Sequence, residues 1–226
     1  MPAKSRKWWS DYLQSHSAHF LELLALVKEC GDVSSVLDVG NFPGQFTILL
    51  KTLGLEAAGI DLDPDRAGEL WARHGIDEKC ANVEKDRFPF EPSSFDVVVL
   101  GEVLEHLGTN AIHTLRECHR MLRPGGHLIL SVPNVSPRHR IRFLFGRDYQ
   151  GDIVKEFRYL ETLGHMGHFR LYSHGEITRL LEYAGFEPQI TKVAGHLPGG
   201  RWQFIRYIGP VRDRFRSHFY AVGRAV

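Results

Sequence analysis

An α/β chain, with a mostly parallel sheet and helices on both of its faces, is predicted by three features of the sequence. Short β-branched runs alternate with longer helical patterns, two glycines (Gly40 and Gly44) occupy the turn after the first run, and an acidic residue, Asp61, closes the second. Strict alternation of strand and helix implies right-handed βαβ units. Glycines at the end of a buried first strand let the backbone approach a ligand, and the helix that follows directs free N–H groups and its positive end to the same place.

Taken in order, residues 1–33 precede the first strand and are expected to form a helix laid over the sheet edge, with Trp8, Trp9 and Tyr12 placed to close over a pocket. Their basic start is followed by mixed polar and aromatic residues, not by the apolar core of a signal peptide. "SSVLDV" reads as strand, "QFTILLKTL" as helix and "EAAGID" as strand. Asp63 and Pro64 offer an N-cap and a first-turn proline to "PDRAGELWARH", whose Ala67, Leu70 and Trp71 share one face. "FDVVVLG", "NAIHTLRECHRML" and "GHLILSVP" continue as strand, helix and strand. Before the last of these, Arg123 opposes the helix dipole, Pro124 blocks continuation and Gly125 and Gly126 supply positive φ.

Residues 135–172 show no clean strand period, which is long for a connection and marks an insertion. "SHGEITRLLEYAGF" contains a capping box from Ser173 to Glu176, an apolar face of Ile177, Leu180 and Leu181, and a terminating Gly185. "FEPQITKV" and "SHFYAVGRA" are two further strands, separated by "GHLPGGRWQFIRYIGPVRDRF", a loop with a short amphipathic helix.

The bulk composition narrows the partners. With 226 residues the chain can bury about 70% of its unfolded surface, and one domain over 1–226 is expected. The formal net charge of +1 gives no global field favouring a polyanion, which disfavours nucleic acid. Cys30, Cys80 and Cys118 lack C-x-x-C spacing, so neither a disulfide framework nor a structural zinc is expected, and a reducing cytoplasm fits. No apolar run reaches the ~18 residues of a membrane span.

Within the glycine turn the pattern is G-x-x-x-G, with Asn41, Phe42 and Pro43 between the glycines. Neither the G-x-G-x-x-G dinucleotide fingerprint nor the G-K-[ST] of a Walker loop is present. Asp61, about twenty residues further on, is placed to accept both hydroxyls of an adenosine ribose. The same residues would also serve simply as tight turns and a helix cap.

"VLDVGNFPG", "GIDLDP", "CANVEKDRFPFEPSSFDVVVLGEVLEHL" and "HRMLRPGGHLILSVPN", in this order and spacing, resemble the class I S-adenosylmethionine-dependent methyltransferases, closest to the subgroup that includes ubiquinone-biosynthesis O-methyltransferases. The resemblance covers Ser34 to Asn134, and "GHFRLYSHGEITRLLEYAGF" extends it to residue 186. It implies a Rossmann-like fold with a seven-stranded, mostly parallel sheet and a reversed last strand, and S-adenosyl-L-methionine as cofactor. It divides the chain into a helical lid (1–33), a cofactor-binding half (34–134), an acceptor-side insertion (135–172) and a C-terminal helix with strands (173–226).

Carried onto this chain, the resemblance places Asp38 and Gly40 at the methionine end of the cofactor, with Asn41 and Gly44 in the same turn. Asp61 would meet the ribose and Leu62 the adenine face; Asn82 stands where an Asp usually meets the adenine amino group, Val83 offers its backbone, and Gly101 completes the set. Phe42 replaces the middle glycine of D-x-G-x-G-x-G, so its side chain must point away from the cofactor or crowd it.

"GEVLEHL" follows the fourth strand, at the end of the sheet where open α/β folds bind ligands. If a helix starts near Glu102, then Glu102, Glu105 and His106 share one face and suit either a divalent ion or a general base. Resemblance to the small-RNA 2′-O-methyltransferases implies a Mg²⁺ or Mn²⁺ set of Glu102, Glu105, His106 and a downstream histidine, His168 or His165. Without a metal, His106 and Glu105 are the catalytic candidates.

"SPRHRIRFLFGRDYQ" interleaves Arg138, Arg142 and further basic residues with Phe143, Phe145 and Tyr149. Together with His165 these would suit an anionic or planar acceptor; the other reading is a solvated helix whose aromatics cover the sheet. The expectation is methyl transfer to an oxygen, less readily a nitrogen, of a small-molecule or glycan-precursor acceptor, by a cytoplasmic monomer or homodimer. The alternatives are a metal-dependent RNA-end 2′-O-methyltransferase and a non-catalytic binding protein on the same fold.

Overall fold

The structure is a computed structural model that describes residues 3–135, 137–146, 153–154, 157–158, 161, 167–195 and 217–226. Its strands are β1 (Ser35–Val39), β2 (Glu56–Asp61), β3 (Asp77–Cys80), β4 (Phe95–Gly101), β5 (Leu122–Pro133), β6 (Phe186–Ala194) and β7 (His218–Ala225). They form one seven-stranded sheet in the order β3-β2-β1-β4-β5-β7-β6. The pairs from β3 through β5 are parallel, while β7 lies antiparallel between β5 and β6 and is the reversed strand the resemblance implies.

Alternation along β1 and β4 explains why both faces need cover. Leu37, Val39, Val98 and Leu100 point to one face and Val36, Val97 and Val99 to the other, and all are buried. On the first face α4 (Ala111–Met121) and α6 (His174–Tyr183) supply Leu115, Cys118, Ile177 and Leu181. On the second, α1 (Ala3–Glu29) and α2 (Gln45–Thr52) supply Phe20, Leu23, Leu26, Phe46 and Leu50. Each such side chain contributes about 1.5–3 kcal/mol by leaving water. α1 therefore lies over the central strands, through Val99, Ile129 and Tyr220, and not over the sheet edge as the sequence suggested.

Two local expectations hold, and one helix start carries a cap that the sequence reading did not name: Asn110 caps α4 by accepting from the His113 N–H at 3.1 Å. Glu176 accepts from both the N–H and the hydroxyl of Ser173 at 2.8 and 2.7 Å, closing the capping box of α6. Gly125 takes φ +78° at the expected turn but Gly126 does not take the positive φ expected of it, since β5 already begins at Leu122 and absorbs the turn as an irregularity against β4.

Others are corrected. The helix after β2 opens as a 3-10 turn, Pro64–Ala67, with no side-chain cap from Asp63, before α3 (Gly68–His74). Glu102 to His106 is no helical face: Glu102 has φ +57° and only Leu104–His106 makes a 3-10 turn. α5 (Pro137–Leu144) carries Phe143, which with Phe145 is exposed, so these aromatics do not cover the sheet. The loop helix expected between the last two strands lies outside the described residues. Among the described residues no helix is long and apolar enough to cross a membrane.

Candidate active site

The carboxyl ends of β1, β2 and β4 open into a cavity of about 730 Å³ roofed by Tyr12, His16 and His19 of α1. The turn leaving β1 sets its shape. Gly40 has φ +71°, and a Cβ there would stand 2.5 Å from Val103. Gly44 has φ +90° and a Cβ there would meet the Trp71 ring at 2.2 Å, so only glycine lets α3 pack beneath the start of α2. Trp9 of α1 donates from its indole to the Pro43 carbonyl at 3.3 Å, tying the roof to the turn.

Beneath the turn runs a chain of polar side chains. Thr47 donates its hydroxyl to Asp38 at 2.7 Å, and the Asn41 amide donates to Thr47 at 3.2 Å and to Glu78 at 2.8 Å. Gly59 makes room for it, since a Cβ there would lie 2.0 Å from the Glu78 carboxylate. Burial pushes Asp38 up to about 7, against the Thr47 hydrogen bond and helped by the negative charge of Asp61. Burial likewise raises Glu78 to about 8, opposed by the Asn41 hydrogen bond. Both carboxyls are thus poised to titrate near neutrality and to respond to a cation.

Asp61 ends β2 at the cavity wall, where its Oδ1 accepts from the Asp63 N–H at 2.9 Å and the Arg66 guanidinium at 2.8 Å. Phe42 packs against the cluster of Ala67, Leu70 and Trp71, with the Arg66 guanidinium 4.1 Å from its ring centroid. The ring both lines the cavity wall and is anchored outward. Leu62 is exposed on the rim, with Asn82 and Val83 also lining it; Asn82 accepts from the Glu84 N–H and the Val83 carbonyl from Thr114. Gly101 ends β4 close to His19, whose Nε2 would lie 3.7 Å from a Cβ at this position.

The four residues grouped in the sequence as one metal set divide between two clusters. Glu105, His106 and His168 have ligand atoms within 4.8 Å of one another, whereas Glu102 groups with His19 and His218. The division follows from the left-handed Glu102, which turns its carboxylate away from the next 3-10 turn. Glu105 is wholly buried with neither carboxyl oxygen hydrogen-bonded among the described residues, and burial, then the neighbouring Glu102, raises it well above the carboxylate range. His106 Nδ1 lies 2.7 Å from the Gly167 carbonyl oxygen, which only accepts, so Nδ1 carries a proton and donates it there, and Nε2 stands 3.9 Å from Glu105. The Glu105 carbonyl accepts the N–H groups of Phe169 and Arg170, which docks the segment carrying His168.

On the other side, Glu102 is held low despite burial by His218, His19 and Ser131. Burial lowers His19 to about 4, and its Nδ1 sits 2.8 Å from the Tyr220 hydroxyl. Burial also raises Tyr12 to about 12, with Glu102 and Asp38 adding to it.

Of the acceptor residues named from the sequence, Arg138 and Arg142 fall on α5, while Tyr149 and His165 lie outside the described residues. α5 borders a second cavity of about 640 Å³ lined by Arg140, His174 and Lys192, with Lys192 engaged by Glu22 at 3.0 Å. Sequence reasoning missed His19, His218, Tyr220 and Glu78. The spacing of Tyr12, His16, His19, Phe20 and Leu23 on one helical stripe was a usable signal for His19; β7 reaches the site only through the sheet order.

With this geometry in view, comparison with known proteins gives the class. Residues 11–189 match the methyltransferase domain family, and the chain belongs to it. It is 33% identical over 165 residues to a Mycolicibacterium smegmatis protein named "Probable S-adenosylmethionine-dependent methyltransferase", an alignment covering 73% of this chain and 56% of that one. It is 28% identical over 160 residues to the ubiquinone biosynthesis O-methyltransferase of Acinetobacter baylyi, covering 65% of this chain and 66% of the relative. The chain thus spans somewhat over half to two thirds of the length of these relatives. Among solved structures it shares the fold of a Burkholderia thailandensis 1,6-didemethyltoxoflavin-N1-methyltransferase bound to S-adenosylhomocysteine, with TM-score 0.61 and 20% identity, covering 99% of this chain and 83% of that one.

Proposed function

We propose that this chain transfers the methyl group of S-adenosylmethionine to an oxygen of a small-molecule or sugar-containing acceptor, a nitrogen acceptor being the less favoured outcome. The observation that carries the reading is Asp38: a buried carboxylate at the mouth of the glycine turn with one hydroxyl donor and, among the described residues, no cationic partner. A ligand ammonium satisfies that need. Asn41 Oδ1 and Gln45 Oε1, buried and without a hydrogen-bond partner among the described residues, flank the same turn, and the cavity volume is in the range of cofactor sites.

In this reading Asp38 and the Gly40 backbone hold the methionine end, Asp61 receives the ribose hydroxyls, and Leu62, Asn82 and Val83 border the adenine. When bound, S-adenosylmethionine supplies an already activated sulfonium methyl. The protein then has to exclude water, align the acceptor and accept one proton. α1 covers the cavity. His106 Nε2 takes the acceptor proton, its ring fixed by the Gly167 carbonyl. The proton stays on His106, whose side chain is 36% exposed, and passes to solvent as product leaves, while the neighbouring Glu105 carboxyl is kept protonated by burial.

The ubiquinone-pathway relatives and the oxygen-suited base favour an oxygen acceptor. The unpaired cysteines Cys30, Cys80 and Cys118 support a cytoplasmic setting. Neither the RNA-end reading nor the non-catalytic reading gains a supporting observation. Incubation with methyl-labelled S-adenosylmethionine and a panel of phenolic, hydroxylated and sugar-phosphate acceptors, with amine acceptors alongside, tests the proposal. Label on an oxygen supports it, and label only on amines, or on nothing, rejects it.

A further inference from the structure

We propose that His19, Glu102 and His218 form a divalent transition-metal site on the acceptor side of the cavity, distinct from the Glu105, His106 and His168 cluster. Each offers one ligand atom and the three atoms lie within 4.8 Å of one another. All three side chains line the cavity. They arrive from three separate elements, α1, the end of β4 and the start of β7, so the grouping is a product of the fold.

The spacing suits an ion better than direct pairing. His218 Nε2 stands 3.5 Å from Glu102 Oε2, beyond the ~3.2 Å limit of a good N–H···O bond. Two donors at about 2.0–2.1 Å from one tetrahedral ion stand ~3.3 Å apart. Glu102 Oε1 is buried without a hydrogen-bond partner among the described residues. Glu102 also holds φ +57°, a strained conformation for a residue with a side chain, and this is what swings its carboxylate to the two histidines.

The outer contacts match as well. His19 Nδ1 is 2.8 Å from the Tyr220 hydroxyl and His218 Nδ1 is 2.7 Å from the Ser217 hydroxyl. Each ring thus has its Nδ1 fixed by a hydroxyl and its Nε2 turned inward, the arrangement that orients metal-ligating imidazoles. His19 Nε2 is 3.5 Å from Ser131 Oγ, too far for a strong bond that would compete.

Two imidazoles and one carboxylate select a borderline ion such as Zn²⁺, and more weakly a harder transition ion such as Mn²⁺, over Mg²⁺, which prefers oxygen donors. Three protein ligands beside a cavity leave coordination positions for an acceptor oxygen, as in catalytic sites. That orienting role rests on the methyl-transfer reading; the binding of the ion does not.

The test is calorimetric titration of the full chain, freed of metal by chelator, with Zn²⁺, Mn²⁺ and Mg²⁺, alongside titration with S-adenosylhomocysteine. The expected result is one ion per chain, with Zn²⁺ or Mn²⁺ bound at least about tenfold more tightly than Mg²⁺. His218→Ala should weaken this about tenfold or more, Tyr220→Phe should weaken it severalfold through the unsupported His19, and Glu105→Gln should leave it unchanged. Retained S-adenosylhomocysteine affinity shows that a variant is folded, and if His218→Ala fails that check Tyr220→Phe decides. No ion bound, a preference for Mg²⁺, or loss in Glu105→Gln but not in His218→Ala overturns the proposal. Failure of the wild-type chain to bind S-adenosylhomocysteine while it binds the ion would reject the methyl-transfer reading and leave the metal site standing.

Discussion

Asp61 accepts the Arg66 guanidinium at 2.8 Å while the same guanidinium covers the ring of Phe42. A residue that departs from the family's glycine pattern is thereby held by the residue that pairs with the expected ribose ligand. Both contacts of Asp61 fall on Oδ1. Asp61→Ala should weaken S-adenosylhomocysteine binding by about 1–3 kcal/mol through lost charged hydrogen bonds. Arg66→Ala, which breaks a half-exposed pair, should change it by less than about 1 kcal/mol. Calorimetry on both variants checks this, and an Asp61→Ala affinity equal to wild type would remove Asp61 from the cofactor site.

Asp38 predicts a pH dependence of binding. Burial raises its carboxyl to about 7, so below that pH a proton competes with the ligand ammonium. Affinity for S-adenosylmethionine should therefore rise with pH from about 5.5 to 7.5 and flatten above, with proton release on binding. For folding the sign is opposite: the native state binds the extra proton, so Asp38 costs stability as pH climbs from its ordinary range through about 7. Titrations in buffers of different ionisation enthalpy measure the release; identical heats in all of them would contradict the assignment.

Gly44 separates packing from backbone strain. Gly44→Ala places a methyl 2.2 Å from the Trp71 ring at φ +90°, whereas Gly54→Ala meets φ +87° with nothing within 4 Å. Strain alone costs on the order of 1–3 kcal/mol at either position. Thermal melts should show a clearly larger loss for Gly44→Ala, and only that variant should lose S-adenosylhomocysteine affinity. Equal losses would mean that the fit of Trp71 beneath the turn is not what requires glycine.

His106→Ala should lower turnover by about 10²–10⁴ while leaving cofactor affinity alone. Steady-state rates with the true acceptor, paired with cofactor calorimetry, check it. Wild-type turnover in the variant would show that the proton leaves by another route.

Much of the fold was legible because its signals are local. The alternating strands and helices, the Ser173 to Glu176 capping box and the glycine turn each follow from neighbouring residues. β3 was not legible: "DEKC" is a short polar edge strand with no apolar period. The sequence singled out Glu102 and Glu105 together, yet their separation was not legible, because a single left-handed residue breaks the helical face that spacing suggests. His19 and His218 lie 199 positions apart, and only the placement of β7 beside β5, with α1 laid across both, brings them to one wall.

The central claim is that the cavity at the ends of β1, β2 and β4 holds S-adenosylmethionine. Calorimetric titration of the purified chain with S-adenosylmethionine and S-adenosylhomocysteine tests it most directly. The account predicts one site per chain with a micromolar dissociation constant, near −8 kcal/mol, despite Phe42. Absence of heat and of any thermal stabilisation with either compound would contradict it.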